Sequence, residues 1–464
     1  MRQLWKQFCR RPVAICALAA TILGTSGKDP NFIRWQPKEN KVEANIHSWT
    51  LLAVLARVSA ATGWRVYVQP NTDHVVSAKF KDLSASEALR FLLGDLNYAL
   101  LPQKTGGAKL LVYRTSPGDA VQFVSRAEAG ILPGQPIPNE LVVVAKPNAR
   151  DKIVALARKL GAKVDGQTNG FNAYRLRFAD EASAQAARES LSNNPDIGQV
   201  DSNYLIERPD PIDENAPTAA NRFGLKPAAT ADGQVIVALL DTAIQPIDAD
   251  RSAFLLPEQH VAGEPPKQMD QLTHGTSMAE TILNGLADGP NDGRGSSVRV
   301  LPIDVYGQNE GTTTYDIANG IYRAVQSGAT IVNLSLGSDA DSPFLRQVIA
   351  EAHQNGVVFF GAAGNEPTTA PTFPAAYPDV IAVTALDQEG AIASYANRGS
   401  FVDVAAPGLS LVDFNGEAYY VTGTSAATAF VSGQAAAVRA MGKSPAEVEQ
   451  YIRMFMSVRQ GPKP

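Results

Sequence analysis

Five apolar runs in the second half of the chain leave few choices of fold: Val235 to Leu240, Val298 to Val305, Ile331 to Leu336, Val357 to Gly361 and Val380 to Val383. A strand wetted on one face alternates apolar with polar residues. These runs are largely unbroken, as strands buried on both faces are. Stretches with helical spacing separate them, including Thr314 to Gln326 and Pro343 to Gln354. Strands alternating with helices give a parallel sheet covered on both sides, so residues 221–460 are expected to form an α/β domain. In such sheets functional groups gather outside the carboxyl ends of the strands.

A chain of 464 residues has room for two or three domains, and two smaller α+β blocks precede the parallel sheet. In residues 41–116, Val42, Ala44 and Ile46 alternate with polar residues, and Ser48 is placed to cap a helix striped by Leu51, Leu52, Leu55 and Val58. Ser84 and Glu87 read as a capping box ahead of Leu89, Leu92 and Leu93. Thr105-Gly106-Gly107 marks a hairpin, and the order is β-α-β-β-α-β-β. Residues 139–208 follow a proline-bearing stretch, Pro117 to Pro138, read as a linker. Their order is β-α-β-β-α-β, the split-βαβ arrangement, with a turn at Asn169-Gly170. Pro209 to Thr218, rich in proline and acidic residues, reads as a flexible connector open to processing.

The first 27 residues have the pattern of a targeting segment. Arg2, Lys6, Arg10 and Arg11 precede an apolar run from Val13 to Gly24, and Thr25, Ser26 and Gly27 follow. The run is short for a bilayer span, which favours a cleaved signal peptide over a retained anchor. Both cysteines, Cys9 and Cys16, fall inside it. Its removal would leave no thiol for a disulfide, a thiolate metal site or a cysteine nucleophile. A net charge of -5 gives no basis for a nucleic-acid partner.

Three short motifs carry chemistry. "VIVALLDTAI" sets Asp241 directly after a buried strand, "HGTSMAETI" sets His274 at the start of a helix, and "GTSAATAFVSG" sets Ser425 at the start of another. Acyl transfer needs a hydroxyl nucleophile, an imidazole to take and return its proton, and a carboxylate to orient the imidazole. Any one such motif alone is more often structural than catalytic. All three in the order Asp, His, Ser are a different matter.

Together these motifs resemble the subtilase family of serine endopeptidases, over essentially the whole of residues 221–460. The resemblance implies that Asp241, His274 and Ser425 are the catalytic triad and that Asn365, in "AAGNEP", supplies an oxyanion-hole amide. It implies substrate pairing through Ser335, Leu336 and Gly337 of "NLSLGS", a facing pocket wall at Ala362, Ala363 and Gly364, and Thr372 near the pocket base. With no acidic residue at that base, an uncharged, apolar first side chain is expected, although Glu366 lies at the rim. Residues 139–208, ending "IGQVDSNYLIERPD", resemble the family's inhibitor propeptide, whose tail lies in the substrate cleft. Residues 41–116 resemble the short N-terminal domain of secretins and TonB-dependent receptors, which implies a periplasmic or outer-membrane protein partner.

The expectation is an exported, periplasmic or secreted, self-processing zymogen acting on protein or peptide substrates, with its own propeptide as a partner. Three positions depart from the family pattern: Ala243, Ala429 and Glu280. The family's calcium ligands are not traceable after Ile244, so no metal or other cofactor is assigned. The departures and the extra N-terminal block motivate an alternative, a protease-fold protein of weak or no activity that docks a periplasmic partner.

Overall fold

The computed structural model describes residues 32–36, 41–70, 72, 74–102, 108–120, 122–124, 133–168, 170–209, 212, 216, 223–228, 234–267, 269, 271–290 and 295–457. The expected leader with its two cysteines, the 105–107 turn and Asn169 lie outside these residues. No helix among the described residues is long and apolar enough to cross a membrane.

The first block contains β1 (Phe32–Gln36), β2 (Lys41–Thr50), α1 (Leu51–Thr62), β3 (Arg65–Val68), β4 (Val75–Leu83), α2 (Ala85–Leu93), β5 (Asn97–Leu101), β6 (Lys109–Tyr113) and β7 (Gln122–Val124). They form two sheets, β1-β2-β4 and β5-β6-β3-β7, over a core running from Trp35 to Val124. The Ser84–Glu87 capping box is present. The cap of α1 is Thr50 rather than Ser48: β2 runs on to Thr50, whose hydroxyl accepts from Ala53 N at 3.1 Å. The 117–138 stretch is not wholly a linker either. Gln122–Val124 pairs antiparallel with β3, and Pro136 opens the next strand. Three residues are too few to show a period, and a proline at a strand's start is compatible with pairing.

The second block holds β8 (Pro136–Ala145), α3 (Arg150–Lys159), β9 (Lys163–Thr168), β10 (Ala173–Arg177), α4 (Glu181–Ser192) and β11 (Ile197–Glu207). Its strands lie in the order β11-β8-β10-β9, all antiparallel. Strand alternation sends Leu141, Val143, Tyr174 and Leu176 into a core with α3 and α4. The same alternation turns Val142, Ala173 and Ile206 toward the third block.

The third block contains β12 (Val235–Asp241), α5 (Ala249–Ser252), β13 (Gln259–His260), α6 (His274–Asp288), β14 (Val298–Asp304), β15 (Gly311–Thr313), α7 (Thr314–Gln326), β16 (Ala329–Leu334), α8 (Pro343–Gln354), β17 (Val358–Ala362), β18 (Val380–Leu386), β19 (Val404–Pro407), β20 (Leu409–Phe414), β21 (Glu417–Thr422), α9 (Thr424–Ala440) and α10 (Pro445–Phe455). Seven strands make one parallel sheet in the order β13-β14-β12-β16-β17-β18-β19. The unbroken apolar runs are explained by two cores. Val235, Val237 and Leu239 pack with α6 and α9, while Ile236, Ala238 and Leu240 pack with α7 and α8.

Both faces of the sheet are tied down by close contacts. Helices α6 and α9 touch backbone to backbone: a Cβ on Gly433 would lie 2.0 Å from Ile282 O, and one on Gly285 2.2 Å from Phe430 O. The second block meanwhile covers the N-termini of α7 and α8, where backbone N–H groups lack intrahelical partners. Asp201 Oδ2 accepts from Ser342 Oγ (2.8 Å) and Phe344 N (2.9 Å), and Asn203 Oδ1 accepts from Tyr315 N (3.1 Å). Arg175 pairs with Asp316 at 3.1 Å with its guanidinium over the Tyr315 ring.

Because the α6–α9 approach leaves no room for a methyl group, Gly433→Ala is expected to lower Tm by about 5–10 °C. Thermal unfolding followed by circular dichroism checks this. An unchanged Tm would mean that the helices part at no cost.

Candidate active site

Strand β12 ends at Asp241, α6 begins at His274, and α9 carries Ser425 as its second residue. Several short links bring these ends together at the carboxyl edge of the sheet. A Cβ on Gly275 would sit 2.0 Å from Thr242 O, so only glycine lets α6 start this close to β12. Gly275 N donates to Thr242 Oγ1 at 2.8 Å. Strand β16 lies beside β12, and its continuation meets α9: Ser335 Oγ donates to Ser425 O at 3.1 Å, and Ser425 Oγ to Ser335 O at 3.4 Å.

The Asp241 carboxylate is 1% exposed, and each of its oxygens lies 2.9 Å from His274 Nδ1. Thr242 N also donates to its Oδ1 at 2.7 Å. An ionised carboxylate only accepts, so this arrangement places a proton on Nδ1 and leaves Nε2 as the basic nitrogen. At the α9 N-terminus, Asn365 Oδ1 accepts from Thr424 N (2.9 Å) and Thr424 Oγ1 (3.0 Å), which fixes the amide with its NH2 end turned away from those donors.

Ser335, Leu336 and Gly337 follow β16; Ala362 closes β17, the adjacent strand, and Ala363 and Gly364 follow it. Thr372 lies between the two segments. A Cβ on Gly337 would be 2.9 Å from its methyl group, while Thr372 Oγ1 accepts from Asn397 Nδ2 at 3.1 Å. Ser338 and Phe373 exchange backbone hydrogen bonds of 2.9 and 2.7 Å. The 335–337 and 362–364 segments thus stand at the ends of adjacent strands, with Thr372 against both Gly337 and Gly364.

Three buried amides were not anticipated. Asn397 holds the pocket wall, donating through its backbone to Gly364 O and accepting from Glu366 N. Asn333 donates to Ser335 Oγ and accepts from Ser432 Oγ, tying β16 to α9. Gln245 accepts from Thr273 N and donates to Met269 O and Gln271 O, setting the entry to α6. An amide in a loop leaves no periodic trace. Asn333, one of two polar residues with Ser335 in the run Ile331 to Leu336, is the one visible signal.

The three departures are accommodated. Ala243 is buried, with its carbonyl accepting from Thr273 Oγ1 at 2.9 Å, and Ala429 is buried within α9. Glu280 has no exposed surface; it accepts from Asp413 N at 2.8 Å and lies 3.6 Å from the Arg251 guanidinium. Burial pushes its carboxyl up to about 7, against the lowering effect of the Asp413 N–H and Arg251.

Residues 232–459 match the model of the Subtilase family, and residues 125–203 that of the fervidolysin N-terminal prodomain. A thermophilic serine proteinase of Bacillus sp. (strain AK1) is 30% identical over 349 residues, covering 69% of this chain and 82% of the relative. Thermitase of Thermoactinomyces vulgaris is 34% identical over 185 residues, covering 39% of this chain and 64% of the relative. The solved epidermin leader peptide processing serine protease of Staphylococcus aureus has a TM-score of 0.53 at 17% identity, covering 70% of this chain and 94% of that one, a likeness of fold. The family match and the curated relatives make the chain a serine endopeptidase. The chain belongs to the Subtilase family and carries a prodomain of the fervidolysin type.

The raised Glu280 carboxyl makes stability depend on pH. The folded state holds this proton more tightly than the unfolded chain, so the contribution is complete below about pH 4.5 and lost as pH rises through about 7. Glu280→Gln removes the titration while keeping an acceptor for Asp413 N. Its stability relative to the parent is expected to rise between about pH 5 and pH 8, by at most about 2–3 kcal/mol. Denaturant titrations at each pH check this, and a difference independent of pH would contradict it.

Proposed function

We propose that Asp241, His274 and Ser425 hydrolyse peptide bonds through an acyl-enzyme, a reading carried by the buried contact of His274 Nδ1 with both Asp241 oxygens. For attack, the Ser425 hydroxyl turns from Ser335 O toward His274 Nε2. Hydroxyl contacts in substrate-free sites are commonly long and tighten on binding. Ser425 Oγ bonds to the scissile carbonyl carbon as Nε2 takes its proton, and the imidazolium then protonates the leaving amine. Water repeats the sequence in reverse, releasing the acid. Asp241 keeps the imidazole oriented and balances its positive charge. The Asn365 NH2 and the Ser425 N–H, free at the start of a helix, stabilise the oxyanion. Every proton and charge is handled by side chains and backbone, so this chemistry needs no cofactor.

Substrate lies extended against Ser335–Gly337, with its first side chain between that segment and Ala362–Gly364, above Thr372. That base is uncharged, which favours an apolar residue.

The second block supports a zymogen. Leu205, Ile206 and Glu207 pair antiparallel with Thr313, Thr312 and Gly311, so the end of β11 occupies an edge that a substrate would use. Further along, Ile212 N donates to Leu272 O at 2.8 Å, two residues before His274. The chain therefore enters beside β15 and leaves beside the histidine helix. We place the maturation cut within residues 209–218, made by Ser425 itself. The leader supports export. The β-α-β-β-α-β-β order of residues 41–116, within a block whose apolar core is its own, supports a docking module for a protein of the cell envelope.

Purified parent chain is expected to shorten to a product beginning within residues 209–218, whereas Ser425→Ala stays full length. Deleting residues 1–124 is expected to leave shortening intact. On casein, Asp241→Asn is expected to lower kcat by about 10⁴-fold and Asn365→Ala by about 10²–10³-fold. Intact-mass spectrometry and casein assays read these outcomes. A Ser425→Ala chain that shortens by itself, or a parent that neither shortens nor cleaves casein, would contradict the reading.

A further inference from the structure

Immediately after the β11–β15 pairing, Arg208 is held in a way that backbone pairing does not require. Its N–H continues the ladder, donating to Glu310 O at 3.1 Å. Its side chain turns back into the 306–309 turn, where Nη1 donates to Gly307 O at 3.0 Å and Asn309 O at 2.9 Å. The guanidinium carbon lies 5.6 Å from the Tyr306 ring centre, and Tyr306 OH donates to Glu207 O at 2.9 Å. One aromatic residue thus contacts both the backbone and the basic side chain of an extended strand.

The turn is built rather than incidental. Asp304, fully buried at the end of β14, accepts from Tyr306 N and Gly307 N, both at 2.9 Å. Gly307 has φ +56°, and a Cβ there would lie 2.5 Å from Ala262 O, so glycine allows both the turn and its close seat on the 262–263 loop. These constraints bring two carbonyl oxygens to one cationic group. Tyr306 is itself fully buried, close enough to Asp241 for that charge to help raise its phenol well above 10, after burial as the main cause. Val305 N donates to Asp241 O at 3.0 Å, so the turn begins beside Asp241.

We propose that the 306–310 turn is a substrate subsite for a basic side chain, arginine above lysine, at the position whose N–H reaches Glu310 O. In the zymogen Arg208 fills it; after maturation a substrate side chain takes its place. Backbone carbonyls accept from any cation, but a planar guanidinium also stacks on Tyr306, which sets the order of preference. The proposal rests on the proteolytic reading and adds a selectivity that the apolar first pocket does not supply.

The test leaves the enzyme unaltered. Internally quenched peptides with the sequence of residues 202–222 are offered to the processed parent, with arginine, lysine, citrulline or norleucine at position 208. The expected kcat/KM is highest for arginine and next for lysine, with arginine about tenfold above norleucine. Mass spectrometry of the products checks that the cut is the same in all four. Enzyme that reacts with a fluorophosphonate but cuts the arginine and norleucine peptides within twofold of each other, or cuts neither, overturns the subsite alone. Failure both to react and to cut overturns the proteolytic reading and the subsite with it.

Discussion

A carboxylate that is 1% exposed must have its charge met by donors, and at Asp241 those donors are Thr242 N and His274 Nδ1. Much of the surrounding structure serves to keep that meeting in place. Gly275 lets the helix start against β12, Gln245 fixes the approach to it, and Thr273 caps it. The same helix lies backbone to backbone on α9, so the position of Ser425 is tied to that of His274 along their shared length. The β20–β21 hairpin adds a second tie. Glu280, Thr281 and Asn284 of α6 all bond to it, and its last strand leads directly into α9.

The second block meets backbone donors of the third that the helix caps there, Thr313 and Ser342, do not take up. The α7 and α8 N-termini present donors, and Asn203 and Asp201 meet them. Strand β15 has an open edge, and β11 fills it. These contacts are polar and local to the sheet face carrying α7 and α8, whereas α6 and α9 occupy the other face. A chain cut after β11 would keep every one of them, so severing the connector and releasing the cleft are separate events. On the proposed zymogen reading, prodomain dissociation rather than bond cleavage sets when the site becomes available.

Much of the third block was legible because burial on both faces leaves unbroken apolar runs, and the helices 314–326 and 343–354 match their expected spans. Asp241, His274 and Ser425 were legible because each sits at the end of such an element. What escaped was shorter or non-periodic. Three-residue strands such as β7 and β15 show no alternation, and β15 owes its pairing to a partner more than a hundred residues away. Asn397, Asn333 and Gln245 act through single amides whose partners are distant in the chain. Glu280 stood out by its type, but its burial against Arg251 and the Asp413 backbone depends on tertiary packing alone.

The central claim is that Ser425 is the nucleophile and that the prodomain tail covers it. Fluorophosphonate labelling during maturation, followed by peptide mapping, tests both parts at once. The account predicts a single adduct on Ser425, absent from full-length chains and appearing in chains that have lost residues up to at least 208. An adduct on another residue, or equal labelling of Ser425 in full-length and processed chains, would contradict it.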